Sequence, residues 1–113
     1  MRPHLPADLP QPIAGFIAAR NRRDYDDAVA AFSPAATVSD EGGIHRGRAA
    51  IRTWMEETVA KYDDTAEIVA AIPDDGAWLV TARVTGRFPG SPAMLRFAFT
   101  LDADGVARLE VGS

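Results

Sequence analysis

The sequence predicts an α+β domain in which a twisted sheet curls around three N-terminal helices. Three observations lead there. Apolar residues follow helical spacing up to Tyr62 and then switch to strand alternation. Tight turns separate the later strands, and such links permit only antiparallel neighbours, because a parallel connection needs a crossover of a dozen or more residues. The alternating strands have one apolar and one polar face, so the helices cover one side of the sheet only.

The elements follow in order. Residues 1–8 are Pro-rich and read as a loosely held arm, leaving 9–113 as a single domain. Asp8 and Gln11 have the spacing of a capping box, with Pro10 in the first turn where its missing N–H does little harm. Ile13, Phe16, Ile17 and Arg20 continue at helical spacing until Asn21-Arg22-Arg23 breaks the pattern. A second short helix starts at Asp24, a residue type favoured as a cap, with Tyr25, Ala28, Val29 and Phe32 on one face and Ser33-Pro34 at its end. Ala36 to Asp40 alternates like a strand, Gly42-Gly43 reads as a two-residue hairpin loop, and Ile44-His45-Arg46 returns antiparallel. Gly47 opens the third helix, whose face carries Ile51, Trp54, Met55, Thr58, Val59 and Tyr62 before Asp63-Asp64 stops it.

Four strands complete the chain. They span 65–72, 77–88, 93–101 and 106–111, with turns at Pro73 to Gly76, Pro89 to Pro92 and Asp104-Gly105. Val80, Ala82, Val84, Gly86 and Phe88 share the apolar face of the second, and Leu95, Phe97, Phe99 and Leu101 that of the third. Arg83, Arg87, Arg96 and Arg108 fall on the opposite face.

Composition narrows the function classes. A chain of 113 residues has room for one domain. Hydrophobic residues make up 47%, and Ala alone supplies 21 residues, so the core is built around small side chains and has space for a pocket. A net charge of −4 argues against a nucleic-acid partner, and no aromatic residues interleave with the basic ones for base stacking. The absence of Cys excludes disulfides and thiolate chemistry, and two His are too few for a His-rich metal site. No cofactor-binding signature appears. No stretch approaches the ~18 apolar residues of a membrane span, and the N-terminus lacks a signal-peptide h-region. The expectation is a cytoplasmic protein with neither metal nor cofactor.

The element order, the run Phe32 to Asp40 and the run Gly43-Ile44-His45-Arg46-Gly47-Arg48-Ala49-Ala50-Ile51-Arg52-Thr53-Trp54 resemble the nuclear transport factor 2-like superfamily. Within it the chain is most similar to the SnoaL-like polyketide cyclase and ketosteroid isomerase branch, over residues 10–112. The resemblance implies a cone-shaped, cystatin-like fold with a deep pocket, and a homodimer formed through the outer sheet face. It implies no single reaction, because fold does not fix function. It also implies a general-base Asp in the segment Ala36 to Asp40, which matches Asp40. The oxyanion-binding Tyr and protonated carboxylic acid of the isomerases match Phe16 and Phe97, neither of which donates a hydrogen bond. Loss of one such donor costs about 10²–10³ in rate, so the resemblance argues against steroid isomerisation. The Arg between two Asp of the epoxide hydrolase branch has no counterpart on these strands. The nearest run, Arg108-Leu109-Glu110, is expected to point both charges outward.

Two residues stand out for chemistry. Asp40 shares a strand face with Val38, so it looks inward if Val38 does. A carboxyl at an apolar pocket wall has a raised pKa and serves as a general base. The competing reading is an Asp that hydrogen-bonds the hairpin turn. With Gly42-Gly43 as the loop, His45 stands opposite Asp40 and forms a proton-relay pair with it. Its competing reading is an exposed hairpin imidazole. Phe16, Trp54, Met55 and Phe97, with Tyr62 and Trp78, read as pocket walls or as plain core. Two functions therefore remain open: cofactor-free acid/base catalysis on a small apolar substrate, or a non-catalytic ligand-binding or dimeric interaction module.

Overall fold

The computed structural model describes residues 9–112. The arm at 1–8, with His4 and the Asp8 cap, lies outside the described residues. The elements run α1 (Gln11–Asn21), α2 (Tyr25–Ala30), β1 (Phe32–Asp40), β2 (Gly43–Arg46), α3 (Gly47–Tyr62), β3 (Thr65–Asp74), β4 (Ala77–Thr85), β5 (Ala93–Asp102) and β6 (Gly105–Gly112). The six strands form one open sheet in the order β2-β1-β6-β5-β4-β3, and the helices pack on one of its faces. All neighbours are antiparallel except β1 and β6, which are parallel.

Several boundaries differ from the sequence expectation, each for a local reason. The first helix begins at Gln11 with Pro10 as N-cap. The Pro10 carbonyl accepts from the N–H groups of Ile13 and Ala14 at 3.0 and 3.1 Å, so the helix start needs no side-chain cap. The second helix is capped as expected, Asp24 accepting from the Asp27 N–H at 3.1 Å. It stops at Ala30, and Phe32 opens β1 instead of closing the helical stripe. The cause is a partner distant in sequence: the Val106 N–H donates to the Ala31 carbonyl at 2.9 Å, and Phe32 then pairs with Val106. Phe32 is fully buried all the same. Pro34 sits within β1 where the register with β6 shifts, a place where a missing N–H is tolerated. The hairpin loop is Glu41-Gly42, one residue earlier than the double glycine suggested, so Asp40 pairs with Gly43 and His45 with Val38. β3 runs on through Pro73 to Asp74, which its position at the sheet edge allows. The long strand from Ala77 ends at Thr85, and 86–92 form the connecting loop.

Helix α3 is anchored at its start by Arg48, whose Nε and Nη2 both donate to the Phe32 carbonyl at 2.9 and 2.6 Å. Ile51, Trp54, Met55 and Val59 form its buried face. The core between helices and sheet centres on Phe32, Phe99, Ile13, Ile51, Met55 and Leu109. Phe16 meets Phe32 and Phe99 edge-on, with centroids 5.1 and 6.1 Å apart. On the outer face Arg83, Arg96 and Arg108 are exposed, and Arg108 pairs with Glu110.

The turn from α3 into β3 passes close beneath Gly86. A Cβ at Gly86 would lie 2.6 Å from the Tyr62 carbonyl oxygen and 2.8 Å from the Asp64 Cβ. The Arg87 N–H also bonds the Tyr62 carbonyl at 2.6 Å. Gly86→Ala is therefore expected to destabilise the fold by about 1–3 kcal/mol through overpacking. Urea denaturation measures this; a midpoint equal to that of the parent contradicts the close approach.

Candidate functional site

Strand alternation turns Val38 into the core, where it is fully buried, and Asp40, two residues on, toward the same side. Asp40 is the last residue of β1 and lines a partly open cavity of about 410 Å³ between the helices and the sheet. The Trp54 Nε1–H, projecting from α3, donates to Asp40 Oδ2 at 3.0 Å. No hydrogen bond joins the Asp40 side chain to the hairpin backbone among the described residues, so the turn-stabilising reading is not the one observed. Burial pushes the Asp40 carboxyl above its ordinary value. The Trp54 hydrogen bond opposes that shift, Glu41 next door adds to it, and the charges of His45 and Arg20 hold it back.

The Asp40–His45 cross-strand pair is not formed, because the loop sits one residue earlier and His45 faces Val38. The displaced loop moves each cross-strand partner by two residues, which leaves every side chain on its original face. His45 therefore still points to Asp40's side of the sheet and is half-buried, with its ring tilted against Trp54 at 6.1 Å. Trp54 is the direct partner of Asp40, and His45 stands beside that tryptophan, off the cavity lining. Phe16, Trp54 and Phe97 do line the cavity. Met55 and Trp78 do not; Met55 is fully buried in the core, and Trp78 packs half-buried against it.

Tyr62, expected with the helical stripe as a pocket candidate, also lines the cavity, while other lining residues escaped the sequence reading. Arg20, at the C-terminal end of α1, donates from Nη2 to Asp64 Oδ1 at 3.1 Å, and both side chains are about one-tenth exposed. Asn21 pairs with Ala66 as a strand residue would, donating to its carbonyl at 2.8 Å and accepting from its N–H at 2.9 Å. Near the rim, the Tyr62 hydroxyl donates to Glu41 at 2.8 Å and its ring meets Phe88 edge-on at 5.9 Å. One signal for Arg20 was present: it continues the apolar stripe of Ile13, Phe16 and Ile17. Its partner lies 44 residues away, and no local pattern points to it. Among the described residues no group of three or more His, Asp or Glu side chains is placed to hold a metal ion. No helix of the described residues is long and apolar enough to cross a membrane.

Comparison with known proteins agrees with this architecture. The family model of the SnoaL-like domain matches residues 13–111. A "putative polyketide cyclase" from Sinorhizobium meliloti is similar at 36% identity and a TM-score of 0.91, covering 96% of this chain and 99% of that one. A cystatin-fold protein from Novosphingobium aromaticivorans (23% identity, TM-score 0.75, 91% and 96% covered) shares the fold. So does a protein of ketosteroid isomerase-like fold from Catenulispora acidiphila, solved with trimethylamine (17%, 0.80, 92% and 85%). No curated protein matches significantly.

The raised carboxyl of Asp40 has a signed consequence for stability. The folded chain holds this proton to higher pH than the unfolded chain, whose carboxyl keeps the ordinary value of 3.8. The residue's favourable contribution is therefore present below that value and lost as pH rises through the folded one. Asp40→Asn, which keeps an oxygen to accept from Trp54, is expected to gain stability over the parent as pH rises from about 4 to about 7. Trp54→Phe removes the bond that holds the carboxyl down and is expected to steepen the parent's own loss. Urea midpoints across that range measure both; a gap between Asp40→Asn and parent that ignores pH contradicts burial as the cause.

Proposed function

This chain belongs to the SnoaL-like domain family, and on that premise we propose that it is a cofactor-free acid/base enzyme acting on a small, largely apolar molecule. The observation that carries the reading is Asp40 itself. Its carboxyl sits in an apolar cavity, shifted toward neutrality by burial, and Trp54 holds one of its oxygens. The Trp54 bond fixes the carboxylate's orientation and leaves Oδ1 without a hydrogen-bond partner among the described residues. A carboxylate so placed takes a proton from an acidic C–H or O–H of a bound molecule and returns it elsewhere, the elementary step of isomerase, cyclase and dehydratase chemistry. A cavity of about 410 Å³ admits a molecule of modest size. The polyketide cyclase label of the Sinorhizobium protein accords with this class of reaction.

The competing reading is a pocket that binds and does not turn over. Phe16 and Phe97 favour it, since both line the cavity and neither offers a hydrogen-bond donor where the isomerases of this superfamily place theirs.

A thermal-shift screen of small ketones, lactones and hydrophobic acids identifies a ligand. With it, Asp40→Asn is expected to lower kcat by about 10²–10⁴ while KM stays near the parent value. Steady-state kinetics checks this. Equal loss of affinity and rate, or a ligand that the parent binds and never converts, supports the binding module instead.

A further inference from the structure

Proton removal next to a carbonyl places negative charge on the carbonyl oxygen, and a donor must meet it there. Phe16 and Phe97 cannot. Arg20 lines the same cavity, and as a residue it is only 8% exposed. A guanidinium carries several N–H donors in a planar fork. Nη2 spends one on Asp64, and no other hydrogen bond of the Arg20 side chain occurs among the described residues. No buried side-chain nitrogen or oxygen among them lacks a partner. The remaining donors of Arg20 therefore keep accessible surface, on a side chain that lines the cavity. Asp64 fixes the guanidinium, and Asn21 and Arg23 on either side of that contact hold the same turn, through Ala66 and the Asp64 carbonyl. The cation is thus oriented before any ligand arrives.

We propose that Arg20 is the oxyanion-binding residue of this cavity, and that the ligand is a small, largely apolar molecule carrying an enolisable carbonyl. The inference rests on Asp40 as the base. In the step it describes, the α C–H bond breaks and its proton passes to the Asp40 carboxylate. The C–H electron pair becomes the C=C bond, and the carbonyl π pair moves onto oxygen as an enolate held by the Arg20 N–H groups. The total charge is unchanged. It leaves a carboxylate that burial disfavours and settles beside a fixed cation. Asp64 and Glu41 are the other acidic groups of the lining; Asp64 is committed to Arg20 and Glu41 to Tyr62. A free carboxylate ligand would bring its charge beside the acidic side chains of Asp40 and Glu41, whereas a neutral ketone brings none.

Dimedone and isophorone test this, because they share a ring skeleton and the first ionises to an enolate where the second carries a methyl group. Asp40→Asn stands in for the protonated base. By calorimetry it is expected to bind dimedone enolate at least about tenfold more tightly than isophorone, the difference one charged hydrogen bond supplies. Adding Arg20→Gln with Asp64→Asn is expected to abolish that preference and leave isophorone binding in place. The ultraviolet enolate band gives a reading that does not touch Arg20: dimedone bound to Asp40→Asn is expected to ionise at lower pH than in water, and ionisation at higher pH overturns the proposal. An equal preference in both variants overturns the role of Arg20 and leaves the pocket standing. Failure of either molecule to bind Asp40→Asn overturns the pocket reading, and this inference with it.

Discussion

The buried ion pair between Arg20 and Asp64 governs the geometry of the site. It joins the end of α1 to the turn that leads from α3 into β3, and so ties two helices to the edge of the sheet. Neighbouring contacts reinforce it. Asn21 occupies the free backbone edge at Ala66, Arg23 bonds the Asp64 carbonyl and the Asp63 carboxylate, and Gly86 lets the turn lie flat against the β4–β5 loop. A buried pair of this kind adds little net stability, but stripping one partner costs about 3–5 kcal/mol by leaving a lone charge out of water. Its value here is placement: it keeps a cation on the wall of an apolar cavity without a ligand to neutralise it.

The same cavity holds a carboxylate from the opposite direction. β1 delivers Asp40 by simple alternation from Val38, and α3 delivers the Trp54 N–H that orients it. The two charged groups thus come from different layers, one from helix α1 and one from the sheet, and the apolar rings of Phe16 and Phe97 line the space they share. Low polarity around them strengthens their electrostatic interaction with any charged group brought into the cavity. His45 adds a positive influence on Asp40 from behind Trp54 without entering the cavity.

Much of the fold was legible in the sequence because it is written in local periodicity. The stripe of Ile51, Trp54, Met55 and Val59 marks α3, and the alternation of Leu95, Phe97 and Phe99 marks β5. What escaped depends on partners distant in the chain. Phe32 fits a helical stripe and a strand equally well, and only Val106 decides between them. The parallel pairing of β1 with β6 has no turn to announce it. Two glycines in succession do not say which of them joins the loop, and the difference of one residue separated His45 from Asp40. Of the site, Asp40 was found because its face follows from Val38. Asp64 was read only as a helix stop, since nothing nearby in sequence reveals the arginine it meets. Met55 fits the stripe as well as Trp54 does; only the packing shows that one turns into the core and the other reaches the cavity.

The proposed function requires Asp40 to be a carboxyl inside a cavity that ligands enter. Carbon-13 NMR of the Asp40 carboxyl, followed through a pH titration with and without a bound small ketone, tests it most directly. The expected result is a titration displaced upward from that of an ordinary aspartate in the free protein, and displaced again when the ketone binds. A carboxyl that titrates like one in open water and is indifferent to the ketone would contradict it.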